Sequence, residues 1–255
     1  MRVTSVINGK GGVAKTSTAH ALATGLTKAS YKTLAIDFDR QGNLSLAFGA
    51  DNKTTPTIYH VINGDIPIME AIQETSQGFI ISGNSSLGKI EALFTGASYI
   101  KGVKQLKNHL THLEGFSHVI IDNAPNIAGL QALQSLTCAT DIIIPMTAEA
   151  FSAQGVTDLQ DAYESIKEDF NPDLKIAGIL IARHNPRMLI SNKISSDLHQ
   201  WAINYGTKIY KTFIREGVSV KESQLLQQSI FDYAPSSNPA VDYHDFINEY
   251  LKQGE

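Results

Sequence analysis

The run Asn8-Gly9-Lys10-Gly11-Gly12-Val13-Ala14-Lys15-Thr16-Ser17 has the residue types and spacing of a loop that holds phosphate. Its glycines let consecutive backbone N–H groups turn inward on an anion, and the helical pattern starting at Lys15 adds the partial positive charge of a helix N-terminus. In such a loop the Lys15 ammonium would bridge the β- and γ-phosphates of a nucleotide, and the Thr16 hydroxyl would ligate Mg²⁺. Glycine is usual just before the lysine. Here that position is Ala14, whose methyl group fits provided the backbone there has negative φ.

Two acidic stretches could complete the chemistry. In Ile36-Asp37-Phe38-Asp39-Arg40-Gln41-Gly42-Asn43 both carboxylates lie at or just beyond the end of an apolar run, and they point the same way if a strand continues through them. That geometry suits a metal ion and a water. In His118-Val119-Ile120-Ile121-Asp122-Asn123-Ala124-Pro125 a buried strand would end in a single acid. Mg²⁺ prefers such carboxylates together with retained water.

Elements able to position these residues surround them. Short apolar runs alternate with longer amphipathic segments, the rhythm of an α/β fold with a doubly wound, mostly parallel sheet and helices on both faces. The expected strands are Val3–Ile7, Thr33–Ile36, Phe79–Ser82, His118–Ile121, Asp141–Pro145 and Lys175–Ala182. Helical spacing runs through Lys15–Lys28, Ile100–Leu113, Asn126–Thr137, Ala153–Phe170 and Leu189–Tyr205. The loops after the strands then share one edge, where ligands of open α/β sheets bind. Thr54–Gln77 is irregular and supports no assignment.

The 255 residues, 42% hydrophobic and 18% charged, are expected to form one domain with a sizeable core. Met1–Ile7 is too short for a signal peptide and no apolar run reaches membrane-spanning length, so a cytoplasmic location is expected. The phosphate loop starts so early that no helix-turn-helix domain is expected before it. The single cysteine, Cys138, reads as a core residue. A net charge of −4 denies the chain a global attraction to nucleic acid, so any DNA contact must come from a local patch.

Lys10 makes the loop specific. Gly-Lys-Gly-Gly-x-x-Lys-Thr resembles the deviant Walker A motif of the ParA/MinD group of P-loop ATPases, in which the early lysine crosses a dimer interface to the partner's nucleotide. The Asp37–Asn43 stretch resembles the family's Asp-x-Asp-Pro-Gln-Gly-Asn, with Arg40 in place of proline, and His118–Pro125 is similar to its Walker B segment. Resemblance continues through Ile142–Pro145 and Ala148–Gly155, and more loosely through Ile214–Ser223, where Arg215 replaces the usual proline and Glu216 the usual arginine.

A ParA-type DNA-partitioning ATPase is what this resemblance implies. Gly9, Lys10, Gly11, Gly12, Val13, Ala14, Lys15, Thr16 and Ser17 would hold ATP, and Lys10, Lys15 and Asp39 would act in hydrolysis, Asp39 on the attacking water. Thr16, Asp37 and Asp122 would serve Mg²⁺. An ATP-sandwiched homodimer, non-specific DNA binding on the nucleoid, slow hydrolysis without stimulation, and a ParB-like centromere-binding partner follow as expectations. Arg187 matches a family position implicated in DNA binding. Arg183, Lys193, Lys208, Lys211, Arg215 and Lys221 are added as a hypothetical basic surface, because they concentrate in an otherwise acidic chain.

Two rival readings draw on the same loop. A MinD-like switch that positions a membrane or another cargo would need a basic amphipathic C-terminus, but Asp242, Asp245 and Glu249 precede the only lysine of that segment. No membrane partner is therefore expected. An iron–sulfur carrier would need more than one cysteine per chain.

Overall fold

The computed structural model describes residues 1–147, 153–184 and 192–253, with side chains described in all of these except 153–158 and 192–197. Seven strands, β1 (Arg2–Val6), β2 (Thr33–Phe38), β3 (Gln73–Thr75), β4 (Gly78–Ile81), β5 (His118–Asn123), β6 (Asp141–Met146) and β7 (Lys175–Ile181), form one sheet in the order β3-β4-β2-β5-β1-β6-β7. All neighbours are parallel except the β3–β4 hairpin at one edge. The helices are α1 (Lys15–Lys28), α2 (Asn43–Phe48), α3 (Ile58–Asn63), α4 (Ile90–Leu93), α5 (Tyr99–Val103), α6 (Gln105–Leu110), α7 (Leu130–Cys138), α8 (Ala153–Asp169), α9 (Asn192–Asn204), α10 (Val218–Leu225), α11 (Ile230–Tyr233) and α12 (Asn238–Leu251).

Side-chain alternation along the strands divides the core into two layers. Leu34, Ile36, Phe38, Val119, Ile121, Ile142 and Ile144 face α3, α6, α7 and α8. Ala35, Ile80, Ile120, Ile143 and Leu180 face α1 and α12. Every residue of β2, β5 and β6 is buried, which is why these strands read as continuous apolar runs rather than alternating ones. The doubly wound α/β sheet expected from the sequence is therefore the observed fold.

Differences lie mainly in the irregular region and at element ends. The Thr54–Gln77 stretch contains α3 and the antiparallel strand β3, whose three residues Gln73–Thr75 carry no apolar signal and are held by pairing with β4. The single helix expected over Ile100–Leu113 is two short ones. Within α5, two residues before the break at Lys104, a Cβ on Gly102 would come within 2.6 Å of Phe94, so packing there favours glycine, a poor helix former. β2 and β5 run two residues further than expected, to Phe38 and Asn123, because those residues too are buried and paired.

Register then does something no local pattern could. Asp37 of β2 lies directly opposite Asp122 of β5, and Asp122 lies opposite Val6 of β1. Three carboxyl ends, and with them the phosphate loop and both acidic stretches, meet at one edge of the sheet.

Candidate functional site

The chain leaves β1 through Asn8, which is buried and clamps the loop from both sides. Its Nδ2 donates to the Pro145 carbonyl at the end of β6 (2.8 Å), and its Oδ1 accepts from the Lys10 amide (2.9 Å). Glycine at position 9 lets Ile127 pack against the loop, since a Cβ there would lie 2.6 Å from the Ile127 Cδ1. Gly12 has φ +76°, which suits glycine. Ala14 does not meet the condition set for it in the sequence: its φ is +68°, in the left-handed region. A non-glycine residue there costs about 1–2 kcal/mol, so the loop holds local strain at the position before Lys15.

α1 begins at Lys15 with no side-chain cap on its first turn, leaving amide groups available to an anion. Lys15 is itself buried, and its Nζ donates to the Lys10 carbonyl (2.7 Å). Burial pulls this ammonium below its ordinary pKa, while Asp122 and Asp39 pull it back up. The Lys10 side chain is half-buried and joins no ion pair among the described residues.

The three acids have different surroundings. Asp37 is fully buried with both oxygens engaged: Oδ2 accepts from the Ser45 amide and hydroxyl (each 2.7 Å), and Oδ1 accepts from the Asp39 amide (3.2 Å). Burial nevertheless pushes its pKa up to about 6, against those hydrogen bonds. Asp39 is nearly buried at the cavity wall, and its Oδ1 accepts from the Gln41 amide (3.0 Å).

Asp122 is fully buried, and neither of its oxygens has a hydrogen-bond partner. Burial, followed by repulsion from Asp37, pushes its carboxyl well above the usual range. The nearby Thr16 hydroxyl, outside hydrogen-bonding geometry, and Lys15 oppose the shift. A buried carboxylate with two empty acceptors is costly unless something positive completes it. No three His, Cys, Asp or Glu side chains among the described residues are placed to enclose an ion. A cation here would thus be completed by hydroxyl, phosphate and water, the coordination habit of Mg²⁺. Thr16 and Asp122 fit that role. Asp37 would have to give up an existing hydrogen bond or share an occupied oxygen.

Lys15, Thr16 and Asp39 open onto a cavity of about 490 Å³ whose second wall is formed by Ile214–Gly217, α10 and Tyr243, while Asp37 and Asp122 are fully buried and do not line it. The second wall is tied to α12: the Arg215 guanidinium and amide bind Asp242, with Nη2 to Oδ1 at 2.6 Å and the backbone N to Oδ2 at 2.9 Å. Sequence reasoning missed Tyr243, Gln224, Asn43 and Pro125 as cavity residues. Tyr243 and Gln224 carry no local signal, since they reach the cavity only through the fold, whereas Asn43 and Pro125 close the two acidic stretches already singled out in the sequence. Ser45, the partner that fixes Asp37, was missed as well.

The described members of the expected basic surface fall into two groups. Arg183 lies at the cavity mouth, paired with Glu216 at 2.8 Å, and Arg215 and Lys221 line the same cavity. Lys208 sits at the opposite edge of the sheet with Arg2 and Lys175, and pairs with Glu249 at 3.4 Å. The Lys211 amide also binds Glu249. Arg187 lies outside the described residues, as does the side chain of Lys193 on α9. The physical reason is topological: Arg183 follows the carboxyl end of β7, whereas Lys208 lies beside its amino end.

A protein-family model described as an AAA domain matches residues 1–176. The chain is 27% identical to the chromosome-partitioning ATPase Soj of Thermus thermophilus over 98% of its own length and 96% of that protein. It is 29% identical to the chromosome partitioning protein ParA of Caulobacter vibrioides, covering 91% of this chain and 87% of the other. Among solved structures, cobyrinic acid a,c-diamide synthase of Mycobacterium smegmatis with a bound ATP analog and magnesium superimposes with a TM-score of 0.85 at 28% identity, covering 100% of this chain and 96% of that one.

Proposed function

Because the chain belongs to the AAA domain family, we propose that it is a ParA-type partition switch: it binds Mg·ATP, pairs with a second copy around the nucleotide, coats DNA without sequence preference and hydrolyses ATP when stimulated. The observation that carries the nucleotide reading is the buried, unpartnered Asp122 carboxylate facing the uncapped first turn of α1 and the Lys15 ammonium. Mg²⁺ would complete the Asp122 carboxylate, and the phosphates it accompanies would take up the α1 amides and Lys15. The solved structure with an ATP analog and magnesium bound supports the same ligands.

The chain's own groups have separable tasks. Amides of the loop and of the first turn of α1 receive the phosphates, and Lys15 exchanges the Lys10 carbonyl for phosphate oxygen. Thr16 and Asp122 would hold Mg²⁺, whose chemistry is to neutralise charge on the phosphates. Asp39, with one oxygen fixed by Gln41, has its other oxygen to orient a water. Asp37 holds the end of β2 to Ser45 of α2, and the Ser45 hydroxyl in turn accepts from the Gly83 amide beyond β4 (2.9 Å). A change at the phosphates could therefore reach α2 through Asp37 and Asp39. Lys10, free of ion pairs among the described residues, is available to a partner's nucleotide.

The same fold also carries a synthase name, so fold alone does not select DNA partition. The selection rests on Lys10 and on similarity to Soj and ParA over nearly full length. A ParB-like protein is the partner this reading implies. The test is retention of the protein on a non-specific duplex with ATP, with ADP and without nucleotide, across a salt series, for wild type and Lys15→Ala. Binding that needs ATP and Lys15 and falls steeply with salt is expected. Equal retention in every state, or none, would remove DNA as the cargo.

A further inference from the structure

Arg183 joins the two walls of the nucleotide cavity. Its Nη1 donates to the Gly12 carbonyl in the phosphate loop (3.2 Å), while Nε and Nη2 donate to Glu216 Oε1 on the opposite wall (3.2 and 2.8 Å). The backbone at Arg183 has φ +53°, an uncommon conformation for a non-glycine residue. Both side chains are about half exposed, so burial does not force the pair together. What distinguishes it is placement: a guanidinium at the mouth of a cavity whose floor is an uncapped helix terminus and a buried lysine.

We infer that Arg183 is a nucleotide-contacting residue supplied by the same chain, and that Glu216 is the positioning residue that holds it there. This rests on the reading of the cavity as a nucleotide site. A guanidinium is donor-only and matches phosphate oxygens in a fork, so an incoming polyphosphate offers it a stronger partner than the Gly12 carbonyl. Glu216 carries the opposite charge and is acceptor-only. Left unpaired at the mouth it would repel nucleotide, whereas bound to Arg183 it is neutralised and fixes where the guanidinium points. The contact is an alternative to the DNA-surface role expected of Arg183 from sequence.

The experiment is calorimetric titration of the full chain with ADP and with a non-hydrolysable ATP analogue, in Mg²⁺ and without DNA. The variants are Arg183→Ala, Arg183→Lys, Glu216→Gln and the Arg183→Ala/Glu216→Gln double variant, each checked for an unchanged melting temperature. Arg183→Ala is expected to weaken both nucleotides on the order of tenfold. Arg183→Lys should recover part of the loss, because charge returns without the fork. Glu216→Gln should weaken binding less than Arg183→Ala, and the double variant should be no worse than Arg183→Ala, because Glu216 acts through the arginine. Wild-type affinity in Arg183→Ala, or tighter binding there, overturns the assignment of Arg183. Additive losses in the double variant overturn the positioning role of Glu216. Failure of the wild type to bind nucleotide overturns both this inference and the reading beneath it, and so is distinguishable from the other outcomes.

Discussion

At the scale of single residues, the site is defined by groups whose needs are unmet within the chain. Asp122 has two empty acceptors at zero exposure, with Asp37 directly opposite. Both carboxyls are pushed above the ordinary value, Asp37 to about 6. The sign of the pH effect follows from proton counts. Between the unfolded value of about 3.9 and the raised folded values, the folded state holds protons that the unfolded state has lost, so stability falls as pH rises through that window. Without ligand, the contribution of these groups is therefore greatest below about pH 4 and declines toward neutral pH. Asp122→Asn is expected to raise the melting temperature of the ligand-free protein at pH 7, by about 1 kcal/mol or roughly 2–4 °C, and to flatten the pH dependence while abolishing the response to Mg²⁺. Thermal unfolding across pH 4–8 for both proteins checks this; a less stable variant would show that the carboxylate has a partner after all.

At the scale of elements, α12 ties down the second wall of the cavity through Asp242 and contributes Tyr243 to it. The sequence shows only a weakly acidic amphipathic tail, whereas in the structure its apolar face is consumed: Tyr243, Phe246 and Tyr250 are fully buried, and Asp242 holds Arg215. That face is therefore engaged inside the protein rather than free for an external surface. Contact between α12 and α1 is close enough that a Cβ on Gly25 would collide with Ile247 and meet Phe231. Gly25→Ala accordingly sets two effects against each other. Helix propensity favours alanine by about 0.5–1 kcal/mol, while overpacking a filled interface costs about 1–3 kcal/mol. Packing should win, giving a net loss on the order of 1 kcal/mol in denaturant unfolding. A gain in stability would mean that Ile247 moves aside and that α12 docks loosely.

At the scale of the whole molecule, ligand binding should act as a global staple, because the cavity joins elements from Gly11 to Tyr243. Mg·ADP at a hundredfold excess over its dissociation constant adds about 2.7 kcal/mol, or roughly 5–10 °C for a chain of this size. ADP without Mg²⁺ should add much less, since Asp122 would then repel the phosphates. Scanning calorimetry with each component checks both statements, and an equal shift without Mg²⁺ would remove Asp122 from metal binding. α1, at Lys15–Lys28 as expected, and the strands that carry Asp37 and Asp122 were legible from the amino-acid order because each depends on neighbours within one strand or one helix turn. So was the doubly wound fold, since buried parallel strands must be apolar throughout. The left-handed backbone at Ala14, the pairing of Asp37 with Ser45, the empty carboxylate of Asp122 and the diversion of Arg183 and Arg215 into the cavity were not legible. The state of Asp122 and the placement of Arg183 and Arg215 depend on sheet register or on contacts between segments far apart in the chain, such as Arg183 with Gly12 across 171 positions, whereas Asp37 and Ser45 stand only eight positions apart and meet through the turn between β2 and α2. Local order supplied the chemically active groups, and only tertiary packing decided which of them were satisfied and which were left open to a ligand.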